Sequence, residues 1–435
     1  MPSNEPTHVI VVGAGFAGVA CAKGLADDSR VRVTVFDKEG YHQFQPLLYQ
    51  VATAELTARD ITFDLDRVFE KHANIETRTA EVTSVDPGSS TVELADGERI
   101  AGDVLVLAAG SQPNFFHTPG AAEYAYPLYS VDDARRIRSR VVQLFRDAAA
   151  DPDLIARGAL TFVVVGGGPT GVETAGALAE LVYDIMPHRH QRLATAGARI
   201  ILIDLGHVVL GPFSADAHTY AAKQLQRRGV QIRLGTSATE IGPDHLTLND
   251  GTRIKTHLVV WGGGVMAAPL AARSGLPQGR GGRIDVQPDL TVPSNSNVYA
   301  LGDFANTPYG DDTALPGLGS VAQQAGGWAA RNILADIDGT GRRPFHYHDK
   351  GIMAMIGRKA AVAEIGEHRH EMHGRVAFAA WLGVHAQLLA NATAELKAFF
   401  AWAEEFYVRP HHRSAELLDP TRIDTPRIDW HGRNR

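Results

Sequence analysis

Two stretches of this chain carry glycines at a spacing suited to phosphate chemistry: "HVIVVGAGFAGVACAK", His8 to Lys23, and "TFVVVGGGPTGVETAG", Thr161 to Gly176. In each, a β-branched run breaks into G-x-G-x-x-G and then into small, helix-tolerant residues. Gly13 and Gly166 suit a tight turn, Gly15 and Gly168 let backbone approach a pyrophosphate, and Gly18 and Gly171 let the next helix pack on the strand. The helix N-terminus then offers N–H groups to the anion. An acid closes each unit: "RVRVTVFD" ends at Asp37, followed by Lys38, and "ARIILIDLG" carries Asp204. A carboxylate there accepts hydrogen bonds from a ribose. Asp204 repels a 2′-phosphate and no Arg follows it, so NADH is favoured over NADPH.

Two cradles imply two dinucleotides and electron transfer between them, a tightly held flavin and an exchangeable nicotinamide being the usual pair. A purely structural repeat is the competing reading, disfavoured because unused glycines cost conformational entropy. Two further segments must position the first cofactor. "DVLVLAAGSQPNFF" reads as a strand ending in Ala109-Gly110, and "SNVYALGDFA" as a strand ending in Gly302-Asp303, whose carboxylate suits a flavin's ribityl or pyrophosphate region. The first domain is therefore split by the second.

The expected fold is α/β, with two Rossmann-like dinucleotide-binding domains and a C-terminal helical region. Residues 1–125 and 285–345 form the FAD domain, 126–284 the NADH domain, and 346–435 a C-terminal domain. A length of 435 residues, 44% hydrophobic and 21% charged, fits several globular domains. A formal charge of -7 argues against nucleic acid as a partner. One cysteine, Cys21, excludes internal disulfides, dithiol redox pairs and thiolate zinc clusters, and places itself in the helix after the first loop. No histidine spacing suggests a metal. The polar leader "MPSNEPT" leaves no room for a secretory signal, so a cytoplasmic location is expected.

On these motifs the chain resembles the two-dinucleotide-binding flavoproteins. More narrowly, it resembles the type II NADH dehydrogenases, non-proton-pumping NADH:quinone oxidoreductases. The narrower likeness rests on "YHQFQPLLYQVAT" (Tyr41 to Thr53), on "GGGPTGVETAGALAEL" with its long spacer before Asp204, and on "YHDKGIMAMIGRKAAVAEIG" (Tyr347 to Gly366). It implies FAD at Gly13, Gly15, Gly18, Asp37, Gly110 and Asp303, with Val82 near the adenine. It also implies a flavin-facing loop at Pro46 to Gln50, and NADH at Gly166, Gly168, Gly171, Glu173 and Asp204 beside the turn "WGGGV" that holds Gly263. Lys38, Ala109 and Gly302 complete the cofactor set.

Glu173 resembles the acid that the family keeps where nicotinamide, flavin and quinone meet. The competing reading is an acid stabilised by the first turn of its helix. In "LPGLGSVAQQAGGWAARNI" the family's two glutamines, four residues apart, map onto Ser320 and Gln324, with Gln323 additional. Ser320 reaches less far than Gln, which puts an ordinary respiratory quinone in question. Glu173 and Gln324 are the catalytic candidates.

The segment from Val376 onward carries Phe378, Trp381, Leu382, Leu388, Leu389, Leu396, Phe399, Phe400 and Ala403 at helical spacing. Its charges are mixed, so a membrane-surface helix and a dimer or core face are both open. A homodimer peripheral to the inner face of the cell membrane is expected. Two rival functions stand beside the quinone reductase: a soluble NADH reductase for a small redox protein or specialised aromatic quinone, and a non-enzymatic NADH sensor.

Overall fold

The computed structural model describes residues 5–189, 197–293, 295–310, 313–366, 368–387 and 418. The chain divides into two compact units, each assembled from three pieces of sequence. Met1–Gln43, Thr62–Gln112 and Val265–Asp349 make the first; Phe44–Ile61, Pro113–Gly264 and Lys350–Arg435 make the second.

In the first unit the run Val9–Val12 is buried on both faces, which suits an interior parallel strand. The strand Thr7–Val12 lies between Val31–Asp37 and Val104–Leu107; Ile75–Thr79 extends the sheet on one side and Asn295–Ala300, then Thr291–Val292, on the other. All pairings are parallel except the last. The late strand Asn295–Ala300 thus completes a sheet begun near residue 7, as the split-domain reading requires. The helix Phe16–Gly24 packs on the long helix Gly319–Ile337. A Cβ at Gly326 would stand 2.1 Å from the Ala17 carbonyl oxygen, so only glycine allows that approach. The small residues of "AQQAGGWAA" therefore serve helix–helix contact. Cys21 is fully buried in this layer, which pushes its thiol up to about 12.

The second unit has a five-stranded parallel sheet in the order Tyr126–Pro127, Leu258–Trp261, Thr161–Val165, Arg199–Asp204, Val230–Leu234. Among the described residues its longest helix, Val131–Ala150, starts with a reciprocal cap: Ser130 Oγ accepts from the Asp133 N–H at 3.1 Å and the Asp133 carboxylate from the Ser130 N–H at 3.0 Å. The helix Pro169–Glu180 follows the second glycine loop and runs into a π-helical turn, Leu181–Ile185.

The C-terminal region, expected to be helical, opens instead with an antiparallel sheet of Gly351–Gly357, Ala360–Ile365 and His370–Gly374, followed by the helix Arg375–Gln387. The alternation that makes "GIMAMIG" and "AAVAEI" strands is hidden because both faces are apolar. Gly176 seats this sheet on the cradle helix, since a Cβ there would stand 2.0 Å from the Ile356 carbonyl oxygen. Of the apolar face expected in the tail, Phe378 and Trp381 are buried and Leu382 half-buried; Leu388, Leu389, Leu396, Phe399, Phe400 and Ala403 lie outside the described residues. Among the described residues no helix is long and apolar enough to cross a membrane.

Candidate active site

The two glycine loops have the same construction. Gly13 has φ +97° and Gly166 φ +113°, and a Cβ on either would strike a neighbouring strand's carbonyl oxygen, that of Ala108 at 2.4 Å or of Gly262 at 2.3 Å. A Cβ on Gly18 would come 1.9 Å from the Gly13 oxygen, and one on Gly171 1.8 Å from the Gly166 oxygen, so both helices sit directly on their turns. Gly15 and Gly168 differ from all of these: a Cβ there would meet nothing within 4 Å. Both are the N-caps of their helices, and neither cap is filled by a side chain. Open space in front of an uncapped helix N-terminus is what a pyrophosphate requires, so both loops fit dinucleotides.

The acids brace the loops. Asp37 accepts from the Ala14 N–H at 2.8 Å and the Glu39 N–H at 2.9 Å; Asp204 accepts from the Gly167 N–H at 2.6 Å and the Gly206 N–H at 2.5 Å. Each carboxylate ties the middle residue of its glycine loop to the end of the second strand, a role beyond the ribose contact expected from sequence.

Around the first cradle, Gly13 abuts Ala108 and Ala109, Gly110 turns with φ +70°, and Gly302, φ +63°, lies against Ala17 and Ala322. Asp303 follows, its carboxylate accepting from the Ser111 hydroxyl at 3.0 Å. Burial raises it above the usual carboxylate range, while Ser111 and the Arg283 charge pull the other way. Val82 is buried opposite Leu94, and Lys38 is exposed with its ammonium 3.9 Å from Glu39. In the second unit Gly263 lies beside the Trp261 ring, whose Nε1 donates to the Asn114 carbonyl at 2.8 Å.

Glu173 stands on the fifth residue of the helix Pro169–Glu180, beyond its first turn, so the first-turn reading does not hold. Its Oε1 accepts from the Met355 N–H at 3.0 Å. Burial pushes the carboxyl up to about 8, against the lowering effect of the Met355 N–H. Tyr49 lies alongside: its hydroxyl donates to Met355 Sδ at 3.3 Å and accepts from Gln50 Nε2 at 3.3 Å, and its ring centre is 6.5 Å from that of Trp381. Gln50 is fully buried. Glu55 and Glu180 complete a group of three carboxyls around that phenol, whose ionisation burial and their charges oppose. Glu180 accepts from the Arg358 N–H and lies 3.7 Å from the Arg228 guanidinium.

Glu173 and Gln324, expected together, fall in different units. Gln324 spends both amide ends on one residue, donating to the His348 carbonyl and accepting from its N–H, each at 3.0 Å. Ser320 Oγ is 2.9 Å from the Tyr347 hydroxyl. Sequence reasoning missed Met355 as the partner of Glu173. The available signal was Gly176 one turn beyond Glu173, which foretells a backbone packed on that helix face.

A family model described as pyridine nucleotide-disulphide oxidoreductase matches residues 7–326. The type II NADH:quinone oxidoreductase Ndh of Mycobacterium tuberculosis is 35% identical over 93% of this chain and 90% of its own. NdhA of the same organism is 34% identical over 95% and 92%. Among solved structures, NDH2 of Plasmodium falciparum in complex with NADH superposes with a TM-score of 0.85, at 18% identity, over 93% of this chain and 99% of that one. The sulfide:quinone oxidoreductase of Aquifex aeolicus gives 0.73, also at 18% identity, over 93% and 96%. At such identities these two likenesses establish the fold alone. The lone Cys21 separates this chain from dithiol chemistry.

Proposed function

We infer that this chain, which belongs to the type II NADH:quinone oxidoreductase family, oxidises NADH and reduces a quinone by two electrons. Bound FAD supplies the hydride acceptor and the electron carrier between the two substrates. The chain's own residues bind, orient and manage protons. Gly13, Gly15 and Gly18 with Asp37, Lys38 and Val82, and with Ala109, Gly110, Gly302 and Asp303 at the strand ends, would hold the flavin. Gly166, Gly168, Gly171, Asp204 and Gly263 would hold NADH, and the Asp204 charge disfavours a 2′-phosphate. Gln50 and Tyr49 border the proton-handling carboxyl of Glu173, and Gln324 orders the segment after the long helix.

The observation that carries the reading is Glu173. Its carboxyl, buried and pushed up to about 8, holds a proton near neutral pH and can still release it, because the Met355 N–H stabilises the charged form. Quinone reduction consumes protons, and a helix cap has no need of such a group. The test is stopped-flow resolution of the two half-reactions in the purified yellow protein with a panel of quinones. NADH must reduce the flavin and a quinone must reoxidise it at a rate that accounts for turnover. Absence of flavin, or turnover only with one-electron dyes, would end the reading.

The same proposal extends to place. The protein works as a homodimer on the inner face of the cell membrane, docked through its C-terminal region. The apolar recurrence through Ala403 supports this, as do Val376 and Val384, exposed on the last described helix. Co-flotation with anionic vesicles tests it.

A further inference from the structure

The two glycine loops share a brace that is built differently in each. In the first, the middle residue Ala14 is held at both ends: Asp37 accepts from its N–H at 2.8 Å, and its carbonyl lies 2.9 Å from Nδ1 of His42, a residue outside the glycine motif. In the second, Asp204 takes the Gly167 N–H, and the Gly167 carbonyl accepts from the Leu210 N–H at 2.7 Å, a main-chain group. A side chain holds the one carbonyl and the backbone holds the other. His42 is buried in a two-stranded ribbon, where Tyr41–Gln43 pairs antiparallel with Thr62–Asp64 and His42 stands directly across from Phe63. The Phe63 ring stacks on it with centres 6.3 Å apart, and Phe16, the first residue of the cradle helix, meets it edge-on at 5.2 Å. A carbonyl only accepts, so Nδ1 carries a hydrogen. Burial lowers the basicity of His42 against the Ala14 carbonyl and Asp37, which favour the charged form, so the ring is neutral and its hydrogen sits on Nδ1 alone.

A trans peptide is planar, so its C=O and the N–H of the next residue point in opposite directions. Fixing the Ala14 carbonyl on His42 therefore fixes the Gly15 N–H on the far side of the same peptide, at the N-cap where a Cβ would meet nothing within 4 Å. We propose that His42 is a positioning residue for the flavin's diphosphate: its Nδ1–H, donated to the Ala14 carbonyl, aims the Gly15 N–H into the open space before the cradle helix. This rests on the first cradle holding FAD, as proposed above. Asp37 does not suffice for the task, because its bond to the Ala14 N–H orients the preceding peptide and leaves the Ala14–Gly15 peptide free to turn about ψ of Ala14. The carbonyl of the second loop is held by a main-chain N–H, so a change at position 42 separates the two cofactors.

The test replaces His42 and follows the purified holoenzyme by flavin release on dilution and by phosphorus NMR of the bound FAD. His42→Phe keeps a ring between Phe16 and Phe63 and removes the donor. The Kd for FAD, read from the flavin fluorescence recovered on dilution, should rise about tenfold, the worth of one hydrogen bond. A diphosphate resonance should move with it, while the Kd for NADH changes by less than about threefold. His42→Asn, whose amide nitrogen stands where Nδ1 does, should return most of the affinity and the wild-type phosphorus signal; a residue that only filled space would not be rescued by this smaller side chain. If His42→Phe does not fold, the tautomer of His42 in the wild-type holoenzyme, read by nitrogen NMR, decides: a hydrogen on Nδ1 supports the proposal and a hydrogen on Nε2 alone overturns it. FAD affinity within about threefold of wild type in His42→Phe, with unmoved phosphorus signals, overturns the proposal alone when Gly15→Val still expels the flavin. Flavin retained by Gly15→Val as well overturns the assignment of the cradle, and the role of His42 with it.

Discussion

The two cradle helices start from the same glycine geometry and diverge two residues after the last glycine. There the first has Ala20 and the second Glu173. Ala20 faces Gly326, where a Cβ would lie 2.9 Å from its own, in a contact made of small residues. Glu173 faces the Met355 N–H of a strand brought in by Gly176. One helix is covered by another helix, whose main-chain groups are already spent within it. The other is covered by the end of a strand that still has an N–H to give. The scaffold that holds a dinucleotide is therefore indifferent to chemistry, and the element laid over its helix decides whether a carboxyl can live there.

The sharpest way to test the shared half of this comparison is to fill the open positions. Gly15→Val places a side chain where nothing of the protein stands, so folding should be kept while FAD affinity falls about 10³-fold, equivalent to two lost hydrogen bonds to a charged group. Flavin content after gel filtration and the melting temperature of the flavin-free protein check it. Gly168→Val should leave the flavin in place and weaken only NADH. Equal loss of flavin in both variants would break the assignment of the cradles.

The divergent half is tested by Glu173→Gln, which keeps shape and removes the exchangeable proton. Reoxidation by quinone should slow about 10²-fold, while flavin reduction by NADH changes by less than about threefold. Quinone reoxidation within about threefold of wild type would remove Glu173 from the proton chemistry. Asp204→Gln bears on the acids that brace both loops. A Gln oxygen can still accept from the Gly167 N–H, so the loop should hold, and the preference for NADH over NADPH in kcat/KM should narrow about tenfold.

The smallest effect is on stability. The folded value of Glu173, about 8, lies above its ordinary 4.5, so between those pH values the unfolded chain releases a proton that the folded chain keeps. Wild type therefore loses stability as pH rises from about 4.5 to 8, and Glu173→Gln does not. The variant's advantage should grow across that window to on the order of 1–2 kcal/mol and then level off, a figure discounted for the carboxyl's residual exposure. Denaturant melts of the two proteins at four pH values measure it, and an advantage that grows toward acid would contradict the assignment.

Both glycine loops, their acids and the late strand ending at Asp303 were legible in the sequence, because each is a local pattern in which spacing and residue type carry the geometry. The split of the first unit followed from the same reading. The surroundings of Glu173 were not legible: Met355 lies 182 residues further along, and no spacing announces it as a partner. Trp381 read as one apolar residue among many on an amphipathic face, since periodicity reports that a face is covered and not by what. The strands Gly351–Gly357 and Ala360–Ile365 were hidden for a related reason, being apolar on both sides.

The order in which the two sheets can be completed during synthesis follows from their sequence pieces. All five strands of the second parallel sheet lie between Tyr126 and Trp261, so they are available once that stretch has left the ribosome. The first sheet, though its opening strand is made earliest, still waits for Asn295–Ala300, and the strand Val104–Leu107 has an unpaired edge until then. The later-encoded nucleotide fold is thus the earlier to finish. During that interval the nascent flavin unit is the part of the chain most in need of a chaperone.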